Sequence, residues 1–142
     1  MYTLANPEPE NIMKLKKHLC KLLKLTPVEL EIVEFLIINR QGACIHRLKA
    51  ELKHDRSVIN KALIKLLNLS LINRTRITRR QYEEICVKFS RTPYPKEGSY
   101  KGSLYFYKLE TLENIIQKLI QENEMQYLKI KNELNELKDQ LT

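Results

Sequence analysis

The sequence predicts a mainly α-helical chain carrying one small β-hairpin, an α+β arrangement, and three observations predict it. Apolar residues recur at helical spacing through most of residues 11–69 and again from Glu110 onward. The stretches "YEEICVKF" and "SLYFYKL" are instead alternating or aromatic, and so β-prone. Between them "SRTPYPKEGSYKG" holds two prolines and two glycines, which suits a long hairpin tip.

Taken in order, the first ten residues, with Pro7 and Pro9, read as a flexible lead. From Asn11 to Leu23, Ile12, Leu15, Leu19, Leu22 and Leu23 mark one helical face. The next helix has a clear start: Thr26 caps, Pro27 fits the first helical position and Glu29 completes a Thr-x-x-Glu capping box. Leu30, Val33, Phe35, Ile37 and Ile38 make that helix apolar most of the way round, so it should sit centrally, and Gly42 ends the segment. A short helix from about Ile45 to Lys53 follows. His54-Asp55 turns the chain, with Asp55 as the expected cap of a helix from Arg56 to about Leu69. "YEEICVKF", in which Tyr82, Ile85, Val87 and Phe89 alternate with polar residues, and "SLYFYKL" supply the hairpin. The chain is then helical to its end. A helix, tight turn, helix and hairpin in that order is the winged helix-turn-helix layout. It divides the sequence into an N-terminal lead and helix over 1–24, the winged core over 25–109 and a C-terminal helix over 110–142.

The formal charge of +8 over 142 residues is unevenly placed. Between Cys44 and Lys108 there are 15 Lys and Arg against 5 Asp and Glu, whereas residues 109–142 hold 4 against 7. A basic centre followed by an acidic tail points to a polyanionic partner, most often nucleic acid. Cys20, Cys44 and Cys86 are too few and too widely spaced for a disulfide framework. No apolar run approaches the length of a membrane span and no signal-peptide core is present. The expectation is therefore a cytoplasmic protein without membrane association. With three glycines the chain builds no phosphate loop, and neither a nucleophile elbow nor a paired-acid motif appears, so catalysis is not expected.

The helix from Arg56 carries the functional signal. Ile59, Ala62, Leu63 and Leu66 share one face and should pack inward, while Arg56, Ser57, Asn60, Lys61 and, further along, Lys65 occupy the rest. Residues near the start of a recognition helix reach base edges in the major groove. There Arg grips guanine, Asn pairs with adenine, and a Val methyl meets the thymine methyl. Arg56, Asn60 and Val58 supply those three chemistries. Arg74, Arg76, Arg79 and Arg80 then begin right after "LSLI", where a wing's first strand should leave the core, and Arg91, Lys96 and Lys101 extend the charge into the hairpin tip. Such residues neutralise phosphates and fix register without reading sequence. A solvated, partner-free helix face would produce part of this pattern, but the adjoining run of arginines is harder to explain that way.

The stretch "IHRLKAELKHDRSVINKALIKLLNLSLI" resembles the helix-turn-helix of MarR-like and TrmB-like transcriptional regulators. Arg56-Ser57-Val58-Ile59 match the start of the second helix, Leu63 and Leu66 its core face, and Leu71-Ile72 its exit. Ser70 departs from the pattern, since those families usually place glycine there. The tail "GSLYFYKLETLENIIQKLIQENEMQYLKIKNEL" is similar to the segment after the wing in archaeal TrmB-like and Lrs14-like regulators. The resemblance implies a DNA-binding repressor or activator, commonly dimeric.

Ile116, Ile120, Asn123, Tyr127, Ile130, Leu134, Leu137 and Leu141 keep a 4-3-4-3 spacing, a heptad seam ~39 Å long at 1.5 Å per residue. It suits a homodimer; the alternative is that the helix folds back on its own domain. Glu133 and Lys138 flank the seam as a charge pair for parallel helices, an antiparallel pairing is equally open, and Asn123 would fix register. Ile64 and Leu67 also lack an obvious internal partner, which brings the N-terminal helix into the expected interface. Cys44-x-His46 is too small a set for a metal site, so no metal or cofactor is expected, and nothing in the sequence specifies a small-molecule effector. Tyr105 and Tyr107 would either stack on bases or, more simply, pack on the core. The expected partner is double-stranded DNA; the rival reading is a winged-helix module that binds a protein or structured RNA.

Overall fold

The computed structural model describes residues 8–82, 84 and 104–141. The elements run α1 Pro9–Leu23, α2 Pro27–Ile38, β1 Ala43–Cys44, α3 Ile45–Leu52, α4 Arg56–Asn68, β2 Ile72–Ile77, α5 Arg79–Tyr82, β3 Leu104–Leu109 and α6 Leu112–Leu141. The strands form one antiparallel sheet in the order β1-β3-β2. Two helices joined by a tight turn, followed by a two-stranded ribbon with a third short strand alongside, make this a winged helix-turn-helix fold.

Helix α2 lies at the centre for the reason its composition gives. Ile32, Val33, Leu36 and Ile37 are all buried, and α2 packs against α1, α3, α4 and β3. Its start is the expected capping box: the Thr26 backbone N–H donates to Glu29 Oε1 at 2.8 Å, and the Glu29 N–H donates to Thr26 Oγ1 at 3.4 Å. Asp55 stands at the N-cap of α4 as expected, but its side chain makes no capping hydrogen bond. Gly42 follows the end of α2 at φ +100°, and a Cβ there would stand 2.6 Å from both the Phe106 ring and the Tyr107 carbonyl oxygen. Glycine lets β1 come against β3 at this point.

The exit of α4 shows what Ser70 does. Ser70 adopts φ +58°, its N–H donates to the Leu67 carbonyl, and the Leu71 N–H donates to the Leu66 carbonyl, each at 3.0 Å. These are the two bonds of a Schellman cap, completed by contact-range apolar residues Leu66 and Leu71, both buried. Serine fills the left-handed position that glycine would occupy with less strain.

The hairpin differs from the sequence expectation. The partner of β3 is β2, residues 72–77, paired from Ile72 opposite Leu109 to Ile77 opposite Leu104. Tyr82, expected to open a strand, ends the short helix α5 and is fully buried against Cys44, Ile77, Leu104 and Phe106. The physical reason is local: the Thr78 N–H donates to Gln81 Oε1 at 2.9 Å and the Gln81 N–H to Thr78 Oγ1 at 3.2 Å. A Thr-x-x-Gln capping box thus turns the chain into a helix immediately after β2. Ile85, Val87, Phe89 and the proline-glycine tip lie outside the described residues.

Two substitutions test this account of the backbone. Ser70→Gly should stabilise the protein by about 0.5–1 kcal/mol, the left-handed strain relieved less the entropy glycine adds. Gly42→Ala should destabilise it by about 1–3 kcal/mol. Denaturant midpoints at constant slope measure both.

Candidate nucleic-acid interface

Helix α4 divides its residues cleanly. Ile59, Ala62, Leu63 and Leu66 are buried, while Arg56, Ser57, Val58, Asn60 and Lys61 are exposed along its first turns. The inward face meets α2, α3 and β2, so the outward face is held by packing on three sides. Lys65 is the exception among the expected contacts. Its Nζ stands 2.9 Å from Oε1 of the buried Glu29 and donates to the Lys24 carbonyl at 3.1 Å. It therefore ties α4 to the start of α2, and its charge is committed inward. A buried acceptor left without its partner costs more than a solvated lysine gains, which is why the side chain turns in.

Arg74 and Arg76 are exposed on β2 and, alternating with Asn73 and Thr75, share one face of the sheet with Ile72. On β3 the residues opposite them are Tyr107 and Tyr105. The Arg74 guanidinium lies over the Tyr105 ring, 4.4 Å from its centroid. Tyr107 belongs to the main core and Tyr105 packs partly buried against it, so core packing accounts for both tyrosines. Arg79 and Arg80 are exposed on α5 rather than on a strand, and Arg80 pairs with Glu84 at 3.5 Å across the surface. Arg91, Lys96 and Lys101 lie outside the described residues.

The electrostatics join these elements. His46, at the start of α3, is held below the ordinary histidine range by burial first and then by the charges of Arg56 and Lys49. Its ring meets Tyr82 edge-on, 6.0 Å between centroids. Burial raises the Tyr107 hydroxyl above its ordinary range, opposed by Arg74 and, more weakly, Arg56. Arg56 from the helix and Arg74 from the strand therefore act on the same tyrosine. That shared influence was not legible in the residues, because 17 positions lie between the two arginines and β3 comes from much further along the chain.

The seam of α6 faces outward. Ile115 and Leu119 are buried, and Gln126 Nε2 donates to the Leu22 carbonyl at 3.0 Å, so the neighbouring face of α6 rests on α1. Lys118 Nζ also donates to the Leu69 carbonyl at the end of α4. Ile116, Ile120, Asn123, Tyr127, Ile130, Leu134, Leu137 and Leu141 are all exposed, Leu141 to 82%. The chain's own domain does not cover them. Ile116, Ile120 and Asn123 line a groove of about 580 Å³ whose other wall is α1, with Leu15, His18 and Leu22. Ile64 is half exposed as expected, but Leu67 is partly buried and packs against the core. Among the described residues, no group of three metal-ligating side chains occurs and no helix is long and apolar enough to cross a membrane.

No family model matches the chain, and no curated protein matches it. Solved structures do. A protein of Methanosarcina mazei Go1 named as a possible transcriptional regulator is 18% identical, covers 87% of this chain and 88% of its own, and superposes with a TM-score of 0.65. A protein of the thermoacidophilic archaeon Sulfolobus tokodaii is 16% identical over 84% of this chain and 98% of its own, with a TM-score of 0.61. A MarR family member of Lactococcus lactis superposes only loosely, at 0.42 and 18% identity, over 94% and 85% of the two chains. At these identities the first two establish a shared fold.

The depressed His46 pKa gives a pH prediction. The unfolded chain binds the proton near pH 6.5 and the folded chain only below that, so stability should fall as the pH drops through 6.5 and on through the lower folded value. In His46→Gln the denaturant midpoint should lose that part of its pH dependence between pH 7.5 and 5.

Proposed function

We propose that the chain is a sequence-specific regulator of transcription that binds double-stranded DNA as a homodimer. The observation that carries the reading is the division of α4: one face builds the core, and the other leaves Arg56, Ser57, Val58, Asn60 and Lys61 exposed, as Arg74 and Arg76 are on the adjoining strand β2. In this reading the five α4 residues enter the major groove and read bases, while Arg74, Arg76, Arg79 and Arg80, with Arg91, Lys96 and Lys101 of the wing, hold phosphates. Lys65 is left out of the contact set because of its bond to Glu29. The name carried by the Methanosarcina mazei protein agrees with a regulator.

Dimerisation rests on α6. Fifteen residues from Tyr127 to Leu141, ~22 Å of helix, are exposed and carry five apolar or aromatic seam positions. An isolated helix of that length is marginal in water, so a second copy laid on the seam and the adjoining groove supplies what the single chain lacks. Two-fold symmetry would then set two α4 helices about one DNA turn apart, ~34 Å.

Gel-shift titration at two salt concentrations, with random duplex, single strand and RNA, tests the partner. Duplex should bind best; equal or better binding to RNA, or to none of the three, would reject the reading in favour of a protein- or RNA-binding module. Once a preferred site is selected from random duplexes, Asn60→Ala should weaken it by about 1–3 kcal/mol and relax preference there. Arg79→Ala with Arg80→Ala should instead weaken all duplexes alike and lower the salt slope by about 1–2. Leu134→Glu should turn the dimer into monomer by light scattering.

A further inference from the structure

The sheet's contribution to the interface is more than charge. Arg74 is an exposed arginine with two tyrosines set against it. Tyr105 lies under its guanidinium at 4.4 Å. Tyr107 is its direct cross-strand neighbour on the same face of the sheet, is almost fully buried, and has its hydroxyl within reach of the Arg74 side chain. Both rings are anchored in turn, Tyr107 inside the core cluster and Tyr105 against it.

We propose that Tyr105 and Tyr107 are positioning residues that hold Arg74 in place on β2, so that its guanidinium meets DNA backbone phosphate. The proposal rests on the DNA-binding reading above. A guanidinium held on a fixed frame donates hydrogen bonds to a phosphate oxygen without first having to be ordered. An arginine free to rotate loses side-chain entropy when it binds, whereas one stacked on a fixed ring has lost most of it on folding. Neither tyrosine needs to touch the DNA for this. Exposed Arg76, next but one along β2, lies opposite Tyr105 in register and would continue the same track of charge.

The test is a mutant cycle on the full chain with a random-sequence duplex as probe, titrated across a series of NaCl concentrations. Arg74→Ala should weaken binding about tenfold and lower the salt slope by about one. Tyr107→Phe, which removes only the hydroxyl, should weaken binding about three- to fivefold alone but less than twofold when Arg74 is already Ala. Tyr105→Leu should behave in the same way, and Tyr105→Phe, which keeps the ring, should recover most of the loss. Thermal melts of each variant report its folding separately. If Tyr107→Phe weakens binding equally with and without Arg74, or has no effect while Arg74→Ala does, the positioning role is overturned and DNA binding stands. If unmodified protein does not retain the duplex, the DNA reading itself fails.

Discussion

The fold depends on one stripe of side chains. Ile59, Leu63 and Leu66, with Ala62 between them, are buried between α2, α3 and β2. Each of the three larger residues contributes about 1.5–3 kcal/mol by leaving water. That stripe does two jobs with the same atoms. It closes the core, and it fixes the azimuth of α4, so the opposite face can only point outward. Every exposed residue from Arg56 to Lys61 takes its direction from this packing. The Schellman cap at Ser70 ends the helix where β2 must begin, and Lys65, bonded to Glu29, clamps the same end to the capping box of α2. The helix is therefore held at its C-terminal end and along one side.

Around that fixed helix, the cationic residues come from three different elements. Arg56 leads α4, Arg74 and Arg76 stand on β2, and Arg79 and Arg80 open α5. Helix α4 packs directly on β2, and β3, which pairs with both β1 and β2, sets Tyr105 under the Arg74 guanidinium and Tyr107 opposite Arg74 in register. A short, aromatic strand is well suited to this position, because its rings fill the gap between sheet and helices and still present a face to a guanidinium. The same contacts that pack the sheet also arrange its charge.

The long helix follows a different logic. Its first turns are welded to α1 through Ile115, Leu119 and Gln126, and its remaining length projects with an uncovered seam. Attachment at one end thus leaves the apolar stripe at the other end uncovered by the described residues of the chain's own domain.

Much of this was legible in the residues. The capping box at Thr26 and Glu29, the inward stripe of α4 and the heptad spacing of α6 are local periodicities or short-range hydrogen bonds, and such signals are written within a few turns of chain. One local signal was present but competed with a stronger one: Thr78 and Gln81 form a capping box just before a stretch whose alternation suggested a strand, and the helix it starts takes in Tyr82 and buries it completely. Tertiary structure alone decided that β2 and β3 pair, that Lys65 turns inward, and that Arg74 stacks on Tyr105. Those facts depend on which distant segments share a core, and a periodicity within a single segment carries no information about its neighbour.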